Sequence, residues 1–304
     1  MRKLLYCIII ISVFLITQDC FAFWVWTPKT NKWVNPAYRT FDTPKEQFDW
    51  AKGYFDSNDL HKALSEFKKL VKKFPNTRFA AEGQYFIAEC YEKLGNHYKA
   101  FLAFQLVVDS YPLSDRLEKI FENQYLIGEI YFKKKKYDLA QEIFEKVLIN
   151  SPYAKMSDIV QYKIGLCLLN TRQFSAAKDE FKKMQENYSF SLYLDDACYQ
   201  IGFCAYKISA LFKNYDQGLI DLAIGDLKYF LRNFQTSEYV QRAEALVFEL
   251  EDKKAEKIFR IAQFYEKQKK TYAALRYYQD LVYMYEGTVW AQKADLKLVK
   301  LRKK

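Results

Sequence analysis

The sequence is poor in the residues that punctuate a chain. Nine glycines and six prolines in 304 residues supply too few turns for an all-β fold and leave room for long helices. Histidine is scarcer still, with only His61 and His97, neither inside a partner motif. No glycine-rich phosphate loop, dinucleotide fingerprint, HExxH or GxSxG occurs, so the usual phosphate, nicotinamide, zinc and serine chemistries have nothing to stand on. No catalytic residue, no cofactor, no metal ligand and no nucleic-acid or small-molecule partner is therefore expected, and an enzyme, a cell-wall hydrolase included, is not. Acidic residues are also outnumbered: 47 Lys and Arg against 37 Asp and Glu give a net charge of +10. The two signs alternate along stretches such as ELEDKKAEKIFR, which is the pattern of a solvated helix face and not of a nucleic-acid patch. The lysine run Lys133 to Lys136 reads the same way, as a solvated turn. Disorder is excluded from the other side, because half of the residues are hydrophobic and 18% aromatic.

A long apolar run occurs once, from Leu4 to Thr17, after Arg2 and Lys3. It falls short of the roughly 20 residues a spanning helix needs. With Cys20-Phe21-Ala22 behind it, it reads as a secretory signal peptide over residues 1–22, cut before Phe23. Cys20 is the candidate lipidation site, although Gln18 and Asp19 stand where a lipoprotein signal has small residues. Cys90, Cys167, Cys198 and Cys204 have no metal-ligand spacing and read as small buried hydrophobes. Cys198 and Cys204 fall on opposite sides of one helix, and a bridge from Cys167 to Cys198 stays open in an oxidising compartment.

Residues 23–42 carry three of the five tryptophans, Trp24, Trp26 and Trp33. Alternation with Val25 and the TPKTN turn predict a short hairpin or arm. It either caps the exposed end of the first helical unit or anchors on a partner or lipid interface.

The rest of the chain is filled by a repeat. From Thr43-Pro44, a cap followed by proline at the first helical position, one order of residue sizes returns six times. A small residue on a first helix (Ala51, Ala88, Gly128, Gly165, Gly202, Ala262) is followed by one on a second helix (Ala63, Ala100, Ala140, Ala177, Ala223, Ala274). Four positions later comes a large apolar residue: Phe67, Phe104, Phe144, Phe181, Leu227 or Tyr278. Pro75, Pro112 and Pro152 close the first three units. This is the tetratricopeptide pattern of paired helices, about 34 residues long. The predicted fold is all-α, a tetratricopeptide superhelix of about six helix–turn–helix units, with four units over residues 43–190. Residues 191–304 then hold further repeats with an insertion, a long helix and a capping helix. The step between small residues is nearly constant to Gly202 and then lengthens, which places the insertion around FKNYDQGLID. Ser237 to Lys269 has neither glycine nor proline and reads as one long helix or two nearly continuous ones.

Repeats of this kind bind partners on the inner side of the first helices. The residue three before each small one is aromatic in every unit: Phe48, Tyr85, Tyr125, Tyr162, Tyr199 and Phe259. Lys93, Lys133 and Lys207 stand five positions after the small residues Ala88, Gly128 and Gly202. Together they are the candidate groove for an extended peptide with aromatic side chains and a free carboxylate, or the rings pack between neighbouring helices.

Two stretches resemble the outer-membrane protein assembly factor BamD (YfiO) family: TPKEQFDWAKGYFDSNDLHKALSEFKKLVKKFPNT with the unit after it, and FLRNFQTSEYVQRAEALVFELEDKKAEKIFRIAQFYEKQKKTYAALRYYQDLVYMY. The resemblance implies a non-enzymatic periplasmic adaptor, associated with the outer membrane, in the assembly and insertion of outer-membrane β-barrel proteins. Its implied partners are a BamA-like barrel protein at the C-terminal repeats and barrel substrates at the N-terminal ones. The alternative is another periplasmic scaffold of the same repeat, in cell-envelope division or secretion.

Overall fold

The computed structural model describes residues 25–27, 32–34, 40–152, 155–211 and 217–302. The expected signal peptide, its cleavage point and Cys20 lie outside the described residues. Two short antiparallel strands come first, β1 (Val25–Thr27) and β2 (Lys32–Val34), with Trp26 opposite Trp33. Every other described element is an α-helix. The order is α1 (Pro44–Asp56), α2 (Leu60–Lys73), α3 (Arg78–Lys93), α4 (His97–Ser110), α5 (Leu117–Lys133), α6 (Tyr137–Asn150) and α7 (Ser157–Asn170). It continues with α8 (Phe174–Asn187), α9 (Leu194–Leu211), α10 (Gln217–Asn233), α11 (Val240–Lys267), α12 (Thr271–Met284) and α13 (Val289–Arg302). The chain divides into two compact units, Met1–Ile120 and Phe121–Lys304.

The helices start and stop where local chemistry directs. Thr43 caps α1: its hydroxyl oxygen accepts from the Glu46 amide at 3.3 Å while its own hydroxyl donates to the Glu46 carboxylate at 2.8 Å. The cap satisfies one backbone donor that the first turn leaves unpaired, the Glu46 amide. Thr77 and Thr288 cap α3 and α13 in the same way, accepting from Ala80 and Ala291. Inside five hairpins the turn depends on one residue in the left-handed region: Asn58, Gly95, Lys135, Arg172 or Lys269, with φ from 56° to 75°. Only one of the five is a glycine, so the others adopt a backbone that their Cβ disfavours.

Packing follows the size pattern. The small residues of the second helices, Ala63, Ala100, Ala140, Ala177, Ala223 and Ala274, are all fully buried, as are Ala51, Ala88 and Ala262 on the first helices. The large residue four positions on fills the crossing, and Phe67, Phe104, Phe144, Phe181, Leu227 and Tyr278 have no exposed surface. Where the notch is glycine the fit is tightest. A Cβ added to Gly128 or Gly165 would lie 2.5 Å from Phe144 or Phe181, and one on Gly202 2.6 Å from Leu227. Those distances are well inside carbon–carbon contact.

The fifth hairpin absorbs part of its insertion as helix: α9 has 18 residues and α10 has 17, against 14 each for α7 and α8. The glycine-free stretch forms a single helix of 28 residues, α11. Its first half puts Ala243, Val247 and Leu250 into a core shared with α9 and α10; its second half puts Phe259 and Ala262 into one shared with α12 and α13. Cys198 and Cys204 lie in different cores on two sides of α9. The four described cysteines are free, buried thiols. Burial pushes Cys90 and Cys198 up to about 11, and Cys167 and Cys204 up to about 12, so they are inert as nucleophiles at neutral pH.

Candidate functional site

The six aromatic positions read from the sequence share one local geometry. Phe48 lies 5.8 Å from Phe67, Tyr85 5.7 Å from Phe104, Tyr125 5.8 Å from Phe144 and Tyr162 5.7 Å from Phe181. Tyr199 lies 5.7 Å from Phe230 and Phe259 5.5 Å from Tyr278. Each first-helix ring thus packs on a ring of its own second helix. Tyr85, Tyr162 and Tyr199 are buried, while Phe48 and Tyr125 stay half-buried. Tyr162 also stacks on Tyr193 at 5.5 Å and Tyr199 on Tyr239 at 4.4 Å. Burial raises the hydroxyls of Tyr125, Tyr162 and Tyr199, the first to about 12 and the other two above the usual range. They are neutral hydrogen-bonding groups at any physiological pH.

The three lysines differ. Lys93 is exposed, with its ammonium 4.3 Å from the Phe55 ring centroid. Lys133 is exposed at the end of α5, beside the equally exposed Lys134, Lys135 and Lys136. Lys207 is half-buried between Phe203 (5.0 Å) and Tyr206 (5.5 Å). The Tyr206 hydroxyl donates to Glu249 at 2.9 Å, and Lys253 bonds the same carboxylate at 2.5 Å. Burial alone would raise Glu249, but the bonds from Lys253 and Tyr206 outweigh it and hold the carboxyl below its ordinary value.

In the first unit the side chains build a recess of about 360 Å³. Phe48, Phe79 and Phe86 line its apolar part, with Phe48 5.6 Å from Phe79 and 5.8 Å from Phe86. Lys52, Arg78 and Arg116 line it as well, with one carboxylate, Glu82. Lys52 pairs with Asp56 and stands 5.3 Å over the Phe86 ring. Arg116 donates to Glu82 at 2.9 Å and lies 5.0 Å over Tyr85, whose hydroxyl donates to Glu89 at 2.6 Å. Arg78 and Glu82 also line a second recess of about 540 Å³, walled by Pro75, Tyr111 and the protruding Leu113. Rings flanked by cations already half-satisfied by carboxylates can hold an aromatic side chain and an anionic group side by side. Among the described residues, no cluster of three His, Cys, Asp or Glu could hold a metal ion.

One recurring group was not anticipated. Four residues before the small position stands a buried glutamine in the first four hairpins: Gln47, Gln84, Gln124 and Gln161. Gln47 donates to the Glu66 carbonyl at 3.3 Å, Gln84 to that of Ala103 at 3.1 Å and Gln161 to that of Glu180 at 3.2 Å. Each bond ties the first helix to the second and fixes their register. The sequence signal was a polar residue recurring at the spacing of the notches.

Tetratricopeptide-repeat family patterns match residues 48–115, 121–148 and 160–191. The pattern of a family described as outer membrane lipoprotein (YfiO) matches residues 210–303. No curated protein matches the chain. Among similar solved structures, MamA (residues 41 to the end) from Desulfovibrio magneticus RS-1 is 17% identical, covers 66% of this chain and 99% of its own, and has a TM-score of 0.33. A tetratricopeptide repeat protein from Parabacteroides merdae ATCC 43184 is 13% identical over 86% of this chain and 99% of its own, TM-score 0.36. The pilF protein of Pseudomonas aeruginosa is 16% identical over 84% and 97%, TM-score 0.35. The hairpins and the repeat matches make this an all-α tetratricopeptide-repeat fold, a protein-interaction scaffold, with a stretch similar to an outer-membrane lipoprotein family. Among the described residues no helix is long and apolar enough to cross a membrane.

Proposed function

We propose that this chain is a non-enzymatic adaptor at the periplasmic face of the outer membrane, serving the assembly and insertion of β-barrel proteins. The observation that carries the proposal is the lipoprotein-family match over residues 210–303, which covers α10 to α13 entirely and contains the second of the two BamD-like stretches. In this reading the C-terminal hairpins dock a BamA-like barrel component. They expose Phe264 (57%) and Tyr272 (82%), large apolar residues that a partner can cover. The first unit takes extended segments of barrel substrates, with an aromatic side chain against Phe48 and Phe86 and a carboxylate between Lys52 and Arg78. Lys93, Lys133 and Lys207 are further proposed contacts, as are the hydroxyl edges of Tyr85, Tyr125, Tyr162 and Tyr199.

Photo-crosslinking in cells from positions 264 and 272 tests the reading. Adducts with a BamA-like barrel protein are expected; adducts confined to envelope proteins without a barrel would replace this role with that of a division or secretion scaffold. For the peptide seat, the charge reversals Lys52→Glu and Arg78→Glu should weaken binding of an aromatic peptide with a free C-terminal carboxylate. The C-terminal amide of the same peptide should not respond.

A further inference from the structure

The adaptor reading leaves the β1–β2 hairpin unused. Its two tryptophans meet edge to face, with ring centroids 5.6 Å apart, yet Trp26 remains 43% and Trp33 62% exposed. Rings that served to cover the first repeat would be buried. The chain is fastened to the first helix pair at a different point, Phe41. The Phe41 amide donates to Gln47 at 3.0 Å, Lys73 donates to its carbonyl at 2.8 Å, and its ring lies 5.7 Å from Trp50. The hairpin presents a tryptophan pair that stays exposed.

The surrounding sequence says what would cover it. Between Cys20 and Phe41 there are three cations, Lys29, Lys32 and Arg39, and no acidic residue. In a chain that elsewhere mixes both signs, that is a one-signed segment. Directly before it stand Cys20 and the apolar run Leu4–Thr17. Tryptophan with neighbouring Lys and Arg and no carboxylate is the composition of a bilayer interface. There the indole sits among headgroups with its N–H solvated, and the cations meet lipid phosphates.

We infer that the Trp26–Trp33 hairpin is a membrane-contact element that inserts its indole pair at the headgroup level of an anionic phospholipid bilayer. It thereby holds the first helix pair, through Phe41, close to the membrane surface. The inference is independent of the adaptor role.

The test uses the protein as purified from the cell envelope, with whatever N-terminus the cell leaves. It is mixed with vesicles of phosphatidylethanolamine and phosphatidylglycerol, some carrying chain-brominated lipid. Tryptophan emission of the wild type is compared with that of the Trp26→Phe/Trp33→Phe variant, which leaves Trp24, Trp50 and Trp290 in place and touches no helix. The expected result is a wild-type component that shifts to the blue on vesicles, is quenched by bromine near the headgroup and is missing from the variant. Equal quenching of the two proteins would overturn the proposal. So would photo-crosslinking from position 33 in cells that gives a protein adduct and no lipid adduct. Replacing Lys29, Lys32 and Arg39 by Gln should remove the extra quenching seen with phosphatidylglycerol over neutral vesicles; an unchanged response would refute the electrostatic part.

Discussion

Gly165 offers the sharpest test of how the hairpins hold together. A methyl group added there lands 2.5 Å from Cε1 of Phe181 and 2.8 Å from its Cδ1 and Cζ. Carbon atoms prefer about 3.5–4.0 Å, so the ring has to retreat by about 1 Å. It has nowhere to go: Phe181 is fully buried and the Tyr162 ring lies 5.7 Å away. Overpacking of this kind costs about 1–3 kcal/mol. Replacing a helical glycine by alanine returns about 1 kcal/mol from backbone entropy, so Gly165→Ala alone should fall between neutral and about 2 kcal/mol destabilised. The informative measurement is a comparison. Gly225 lies inside α10 with nothing within 4 Å of its would-be Cβ. Gly225→Ala should therefore collect the helix gain without the clash and stabilise by about 0.5–1 kcal/mol. The propensity term cancels between the two variants, leaving a difference of about 1–3 kcal/mol that is packing alone. Thermal and urea melts followed by helical circular dichroism would read it. Equal midpoints for Gly165→Ala and Gly225→Ala would refute the notch argument, and Gly165→Leu should lie lower than either.

The turns give an opposite expectation: Lys135→Gly, Arg172→Gly and Lys269→Gly should each stabilise the fold by up to about 1 kcal/mol in the same melts, because φ there is 58°, 62° and 56°. Gly95→Ala, at φ 75°, should destabilise it by a similar amount. Gln161→Ala removes a buried donor to the Glu180 carbonyl and should cost about 1–3 kcal/mol, again read by melting. No loss would mean that the glutamines merely fill space.

The repeat was legible because it rests on side-chain volume at fixed spacing. Ala51, Ala63 and Phe67 announce a helix crossing in any chain in which they recur, and the scarcity of Gly and Pro leaves no competing element. The helix start at Thr43-Pro44 was a local matter of capping, whereas propensity after Ser237 left one long helix or two nearly continuous ones, and the structure has one, Val240–Lys267. The candidate groove was read less well. Spacing places Tyr85, Tyr162 and Tyr199 on one side of their helices, but spacing does not say how much of that side a neighbouring helix takes. The tyrosines went largely into packing against Phe104, Phe181 and Phe230. Phe86 and Arg116, which help to line the first-unit recess, come from separate segments of the chain and share no spacing rule. The role of the glutamines is not legible in the sequence, because polar residues are expected outside; only the carbonyl of a second helix within reach makes their burial tolerable.

The sequence by itself determined that this protein is a stack of helix pairs notched by small residues, since a pair exposes an apolar face that only a neighbouring pair can bury. It determined equally that the tryptophan-bearing stretch from Cys20 to Phe41 has three cations and no acidic residue. Tertiary structure decided which rings remain open and which are consumed, because that depends on distances between helices far apart in the chain. It also decided that a single long helix serves two cores, and that Phe41 bonds to both helices of the first repeat.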